Sequence, residues 1–374
     1  VVCRPLLLLI RVRQETFFSG SLLYPCGKKW RLLLVPDDNY AAVMSSYIVL
    51  YFLVFCSSLL ANQVALHLLR KWKIVDVPNS RSMHPHPVPR GGGIAIACAI
   101  FVPLWHLQLF GVHTTVWLIL GFSIMVLGAL DDFRPLGMLI RLLCQLAVAF
   151  CLVVTFLLPS SESIDSRTVL LSFSVILLIV WTINSFNFMD GADGFAVTQS
   201  IFFFASLGSI ALVREFHFLS ASAFISVAAV LGFAPYNWHP AKMFMGDAGS
   251  YLLGFLVASV TFFGWLEGLP PFAALILMAP FITDSSLTLL KRVGSGKNFF
   301  AAHREHCYQT LLLDGWTPTK LCFILVLLLS LICLPAAILS LLYSQGALLV
   351  TCFVYGFFSA IWYYVVRTSK NGGL

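Results

Sequence analysis

The sequence predicts an all-α, polytopic integral membrane protein of about eleven transmembrane helices, and three observations carry that prediction. Of its 374 residues, 59% are hydrophobic. Only 10% are charged, against about 25% in a typical soluble domain. The apolar residues also run on without alternation over windows of about 19 residues, the length that spans a bilayer as a helix. A closed barrel is excluded, because its strands would alternate. No soluble domain is left over, and no internal repeat or low-complexity tract interrupts the pattern.

Residues 1–43 stand apart. Their apolar piece, Leu6–Ile10, is too short to span, and six Lys/Arg flank it (Arg4, Arg11, Arg13, Lys28, Lys29, Arg31). They resemble a signal peptide only loosely, so they are expected to be a non-native or disordered leader ahead of a start at Met44. Residues 44–374 are then a single transmembrane domain. Its spans are expected at 46–69, 93–110, 114–130, 138–158, 168–186, 196–213, 218–235, 249–265, 269–290, 321–343 and 346–366. The ten cysteines lie mostly inside these runs (Cys56, Cys98, Cys144, Cys151, Cys322, Cys333, Cys352) and form no C-x-x-C pair. They behave as small hydrophobes rather than as a disulfide framework.

Beyond the leader, one set of alternate loops and the C-terminal tail carries fifteen Lys/Arg, and the opposite loops carry two, Arg167 and Arg214. The positive-inside rule puts the first set and the C-terminus in the cytoplasm. The leader's six basic residues would fall outside, which is a second reason to distrust it. Asp131-Asp132, Asn187/Asp190/Asp193, Asn237/Asp247 and His303/His306 all fall on the cytoplasmic side of this topology. That segregation indicates one site facing the cytoplasm.

The polar segments follow in chain order. The loop Lys73–Gly93 holds four prolines and ends in three glycines, with Arg81 and Arg90 beside them. Glycine amides opening a helix can bind phosphate; a basic loop on anionic lipid is the plainer alternative. Asp131-Asp132 end the third span, and paired carboxylates need a cation or a proton. The stretch Trp181–Phe195 carries Asn184, Asn187, Asp190 and Asp193 at three-residue steps, expected near one helical face. Such residues in an apolar segment require a reason, although a helix end capping itself at the membrane surface is an even alternative. In Pro235–Ser250, Asp247 lies between Gly246 and Gly249 at a helix start, where an acid also answers the helix charge. Phe244 can stack on a flat ring or anchor the interface. In His303–Gln309, two histidines three apart can bind metal or phosphate; zinc is disfavoured, because no second ligand pair has the spacing. Asp284, inside the ninth span, demands a partner or a proton and is expected to be structural or to support the site rather than to be a first-choice catalyst.

Together these segments resemble the polyprenyl-phosphate N-acetylhexosamine-1-phosphate transferases. The resemblance runs from about Asp76 to Tyr308 and rests on D-D at Asp131-Asp132, N-x-x-D-G-x-D-G at Asn187–Gly194, F-M-G-D-x-G-S at Phe244–Ser250 and the histidines at His303–His306. It implies transfer of a sugar-1-phosphate from a UDP-N-acetylhexosamine to undecaprenyl phosphate, with release of UMP and with Mg²⁺ (or Mn²⁺ in its place). It implies that Asp247 holds the metal, together with Asp131 or Asp132, and that one of that pair meets the lipid phosphate as base or nucleophile. Asn187, Asp190 and Asp193 would line the nucleotide side, Asn237 and Phe244 would contact uracil, and His303, Arg304 and His306 would meet phosphate or sugar. Arg81 and Arg90 are expected to bind substrate. Such an enzyme sits in the bacterial inner membrane and needs no nucleic acid partner; a homodimer stays open. The loop H-P-H-P-V-P-R-G-G-G and the motif H-R-E-H depart from the muramyl-pentapeptide branch and resemble the branch that initiates O-antigen. The lysine expected a few residues after D-D is missing, and Arg134 is a substitute by guess. From another class, a proton-coupled transporter or lipid flippase would also have many spans and isolated acids, but near the bilayer midplane. A scaffold for polysaccharide assembly would leave the motifs unexplained.

Overall fold

The structure, a computed structural model, describes residues 40–78, 83, 86–107, 111–158, 165–297 and 303–369. The expected leader lies outside them up to residue 39, and so does Arg81. The described chain is almost wholly helical. The first helix, α1 (Tyr40–Lys71), closes on Arg70 and Lys71, cations suited to its negative end. A small antiparallel hairpin follows, β1 (Val75–Asp76) with β2 (Val88–Pro89), Val75 facing Pro89 and Asp76 facing Val88. Next come α2 (Gly92–Leu107), α3 (Val112–Phe133), α4 (Met138–Phe156), α5 (Ser166–Met189), α6 (Phe195–Val213), α7 (His217–Asn237) and α8 (Gly246–Leu266). Then α9 (Phe272–Leu277), α10 (Ala279–Gly294) and the short α11 (Cys307–Leu313) precede the last two spans. The first of these is α12 (Pro318–Leu328), a π-helical turn (Leu329–Cys333) and α13 (Leu334–Leu342); the second is α14 (Ala347–Thr368).

Nine of the described helices are long and apolar enough to cross a membrane. Two of the eleven expected spans fall short of that standard. Helix α2 has only 16 residues. The expected span 269–290 is divided at Met278 into α9 and α10. Pro280 supplies the break, since its ring has no N–H to give and presses on the carbonyl four residues back. Beyond the break α10 buries Thr283, Asp284, Ser285 and Thr288, so it reads as less apolar than a lipid-facing helix.

Helix α8 is the most buried of the nine and packs against α3, α5 and α2. Its small residues explain this: Gly249 meets Gly93 of α2 backbone to backbone, and Gly254 meets Ile183 of α5. Without a hydrophobic drive between helices in lipid, close approach through small residues is what holds them. A Cβ at Gly93 would overlap the Gly249 backbone. Polar contacts add to the core, as where Trp117 Nε1 donates to Ser259 Oγ at 2.9 Å.

Candidate active site

The D-G-A-D-G segment does not continue α5. The helix ends at Met189, Asp190 follows as its cap, and Gly194 adopts φ 75° to open α6. That left-handed turn suits glycine, so the four polar residues do not share one helical face. Asn184 turns away to Gln145 of α4, 2.6 Å from its Nδ2. Asn187 instead donates to Asp247 Oδ1 at 2.9 Å and to Ser250 Oγ at 3.0 Å. Asp193 Oδ2 is held by His239 Nδ1 at 2.7 Å and by the Ala241 amide at 3.1 Å.

Asp131 and Asp132 diverge, each with its own cation. Asp131 is buried: Oδ1 accepts from the Leu136 amide at 2.6 Å, and Oδ2 from Arg141 Nη1 at 2.9 Å and from Tyr251 OH at 3.2 Å. Asp132 accepts the amides of Asp247 (2.8 Å) and Ala248 (3.1 Å) and so caps α8. This cap explains Gly246, whose φ of 73° carries the chain past a carboxylate that leaves no room for a Cβ. Arg90 then forks between two acids, Nε to Asp132 Oδ1 at 2.6 Å and Nη2 to Asp247 Oδ1 at 2.9 Å.

The glycine-rich opening of α2 is not free for phosphate. The amides of Gly91 and Gly92 donate to the Phe244 carbonyl at 3.1 and 3.0 Å, and that of Gly93 to Met245 at 2.9 Å. Asn237 is likewise committed to the backbone. It is 3% exposed, accepts from the Gly194 amide at 3.0 Å and donates to the Met243 carbonyl at 3.2 Å. Both polar ends of its side chain are used in holding the two motif loops together, so the expected uracil contact gives way to a structural clasp.

The histidine segment is anchored from α10. Asp284 accepts the amides of Cys307 at 2.7 Å and Tyr308 at 3.2 Å, the first turn of α11. Its Oδ1 also lies 3.6 Å from His306 Nδ1. Glu305 is held by Arg292 and, at 3.2 Å, by Lys297. Tyr308 OH reaches the Phe188 carbonyl at 3.0 Å, which sets the segment beside the end of α5. His306 stacks on Phe188, and His303 lies tilted against His306, with centroids 5.8 and 4.9 Å apart. Arg304 is exposed.

Arg90, Asp132, Asn187, Asp190 and Asp247 thus form the heart of the site, with His303 and His306 on its flank. Burial pushes the Asp190 carboxyl well above the usual carboxylate range, and the carboxylates of Asp247, Asp132 and Asp193 push the same way, against Arg90. Burial lowers His303 to about 4, helped by His306 and Arg292, so its ring is neutral near pH 7. Among the described residues no three His, Cys, Asp or Glu converge as a metal cage. Magnesium needs none, since one or two carboxylates with substrate phosphates hold it. The acid-rich, oxygen-only donor set here fits such an ion better than it fits zinc.

Arg141, His239, Tyr251 and Tyr308 escaped notice in the sequence. Arg141 takes the cationic place beside Asp131, whereas Arg134 is exposed at the end of α3. A cation inside an apolar run was the available signal for Arg141.

A family model described as "Glycosyl transferase family 4" matches residues 114–264. Those residues are similar to that family. That region holds Asp131, Asp132, Asn187, Asp190, Asp193 and Asp247, and it ends before the histidines. The chain is also 28% identical over 311 residues to the undecaprenyl-phosphate alpha-N-acetylglucosaminyl 1-phosphate transferase of Escherichia coli (strain K12), covering 79% of this chain and 81% of that one. To a probable undecaprenyl-phosphate N-acetylglucosaminyl 1-phosphate transferase of Bacillus subtilis it is 27% identical, covering 75% and 80%. To a decaprenyl-phosphate N-acetylglucosaminephosphotransferase of Mycobacterium leprae it is 26% identical, covering 81% and 84%. The resemblance that the four motifs carry therefore extends, in relatives, over most of the chain. The matched region is the part of the bundle whose helix ends supply the acids.

Proposed function

We propose that this membrane enzyme transfers an N-acetylhexosamine-1-phosphate from a UDP-sugar to undecaprenyl phosphate. The observation that carries the reading is the meeting of the ends of α3, α5 and α8 at Asp132, Asp190 and Asp247, with Arg90 bridging two of these acids. The relatives' names supply the substrate class. An oxygen of the lipid phosphate attacks the sugar-bearing phosphorus of the nucleotide sugar. The bond from that phosphorus to the bridging oxygen of the diphosphate breaks, UMP leaves with that oxygen, and the sugar stays on a lipid diphosphate. A phosphate monoester is already ionised near neutral pH, so no strong base is needed, and Asp131, bound on both oxygens, is not free to act as one.

Asp247 and Asp190 would hold a Mg²⁺ ion, which when bound neutralises charge on the diphosphate. Arg90 presents a guanidinium suited to phosphate oxygens. Neutral His303 offers its ring as a hydrogen-bond partner to sugar or phosphate, and half-buried Phe244 offers its ring to uracil. The site would face the cytoplasm of a bacterial inner membrane, and the product would begin a surface polysaccharide of the O-antigen type. Gathering of the acids at helix ends rather than at mid-span disfavours the transporter alternative.

The test is UMP release by detergent-purified protein given undecaprenyl phosphate, Mg²⁺ and a panel of UDP-N-acetylhexosamines. Release should need the lipid and the metal, and Asp247→Asn should lower it by about two to three orders of magnitude, as loss of a charge-stabilising group does elsewhere. No release with any donor from a folded protein would overturn the reading.

A further inference from the structure

We infer that Arg90 is a built-in competitor for the metal position at Asp247, so that a divalent cation binds tightly only when a nucleotide diphosphate draws the guanidinium away. This rests on the transferase reading above. The main chain of Arg90 cannot move freely. Phe244 N donates to the Pro89 carbonyl at 2.8 Å, Gly91 N to Phe244 at 3.1 Å, and Arg90 itself bridges to Phe244. Whatever Arg90 does, its side chain must do alone.

That side chain takes up Asp247 Oδ1, the same oxygen that Asn187 approaches at 2.9 Å. A cation placed on Asp247 would share this carboxylate with a guanidinium and be repelled by it. Asp132 cannot follow Arg90 outward, because both its oxygens are held by the amides of α8. Asp132 therefore stays fixed, and the cation between it and Asp247 is the exchangeable partner. The Arg90 side chain is 28% exposed, so an incoming anion can reach it. A cavity of about 130 Å³ lies alongside, lined by Arg90, Asp132 and Asp76 with apolar Leu69, Ile74 and Phe133. It gives the guanidinium room to shift. A diphosphate offers Arg90 a bidentate partner of matching geometry, and once Arg90 turns to it, Asp247 is released to the metal. Metal and nucleotide then bind with positive coupling, which by linkage acts equally in both directions.

The experiment measures Mn²⁺ binding to the full chain in detergent by electron paramagnetic resonance, with and without UDP. In the unaltered protein UDP should tighten Mn²⁺ roughly tenfold, within the usual range for coupled sites. Arg90→Gln should bind Mn²⁺ alone about tenfold more tightly and lose most of the UDP effect. Arg90→Lys, which keeps the charge, should bind Mn²⁺ alone as weakly as the unaltered protein. Tightening on removal of a side chain is not what mere structural damage produces. Equal or weaker Mn²⁺ binding by Arg90→Gln overturns the inference and leaves the transferase reading intact. Failure of every form to bind Mn²⁺, even with UDP, overturns the metal reading and this inference with it.

Discussion

At the scale of single residues, the site is a balance of a few charges that each have a named partner. Asp131 belongs to Arg141 and Tyr251, Asp193 to His239, and Asp132 and Asp247 to Arg90. Asp190, buried among these charges, keeps a strongly raised carboxyl. His303 shows how such an environment couples to pH. Its ring titrates near 4 when folded and near 6.5 when unfolded, so between those values the unfolded chain binds the extra proton. Stability is then full above about pH 6.5 and falls as the pH drops towards 4. Thermal unfolding in detergent across that window should show a steeper acid loss for the unaltered protein than for His303→Gln; parallel profiles would mean that His303 carries no such linkage. Much of this residue-level picture was legible beforehand. Asp132, Asn187, Asp190, Asp247 and Arg90 stand out as polar groups in apolar surroundings, and the structure brings them together. What could not be read was direction. Asn237 and Asp193 look identical in kind to ligand-facing residues, yet they spend hydrogen bonds on the backbone and on His239.

At the scale of elements, the site depends on one helix holding another's beginning. Asp284, deep in α10, takes the first amides of α11 and so fixes the histidine segment that precedes it. Asp284→Ala removes this cap and should cost about 1 kcal/mol of stability, the usual worth of such a group. Asp284→Asn, which keeps one acceptor oxygen, should lose less. UMP release should fall in the same order, because His306 and His303 are positioned through that cap. Equal stability and activity in all three proteins would show that Arg292, Glu305 and Tyr308 hold the segment without this cap. Element boundaries were the part of the fold least visible in the sequence. Hydropathy located the long spans and the gap after 186, but the expectation of one helical face ran through the stop after Met189, and the span 269–290 ran through the break before Pro280. That break is a local backbone effect, which a window of about 19 residues averages away.

At the scale of the whole molecule, the spans turn back and forth so that one end of the bundle collects the acids. The Lys/Arg bias predicts that this end is cytoplasmic. Exposed Lys242 lies at that end and exposed Glu215 at the other, in the turn between α6 and α7. With the native exposed cysteines replaced, Glu215→Cys should react with a membrane-impermeant maleimide on intact cells, and Lys242→Cys only after permeabilisation. The reverse pattern would invert the topology and leave the site's geometry untouched.

The π-helical turn at Leu329–Cys333 has a consequence of phase. Leu325, Leu329, Cys333 and Ala337 are all buried, a stride of four that in an uninterrupted α-helix would drift by about 40° at each step. The wider turn, placed just ahead of Pro335, takes up that drift and keeps the four residues on one seam. It amounts to a single surplus residue. A homologue one residue shorter here would lose the turn, and its seam would have to restart with a stride of three. Single-residue gaps between related chains should therefore collect in this segment rather than elsewhere along the span.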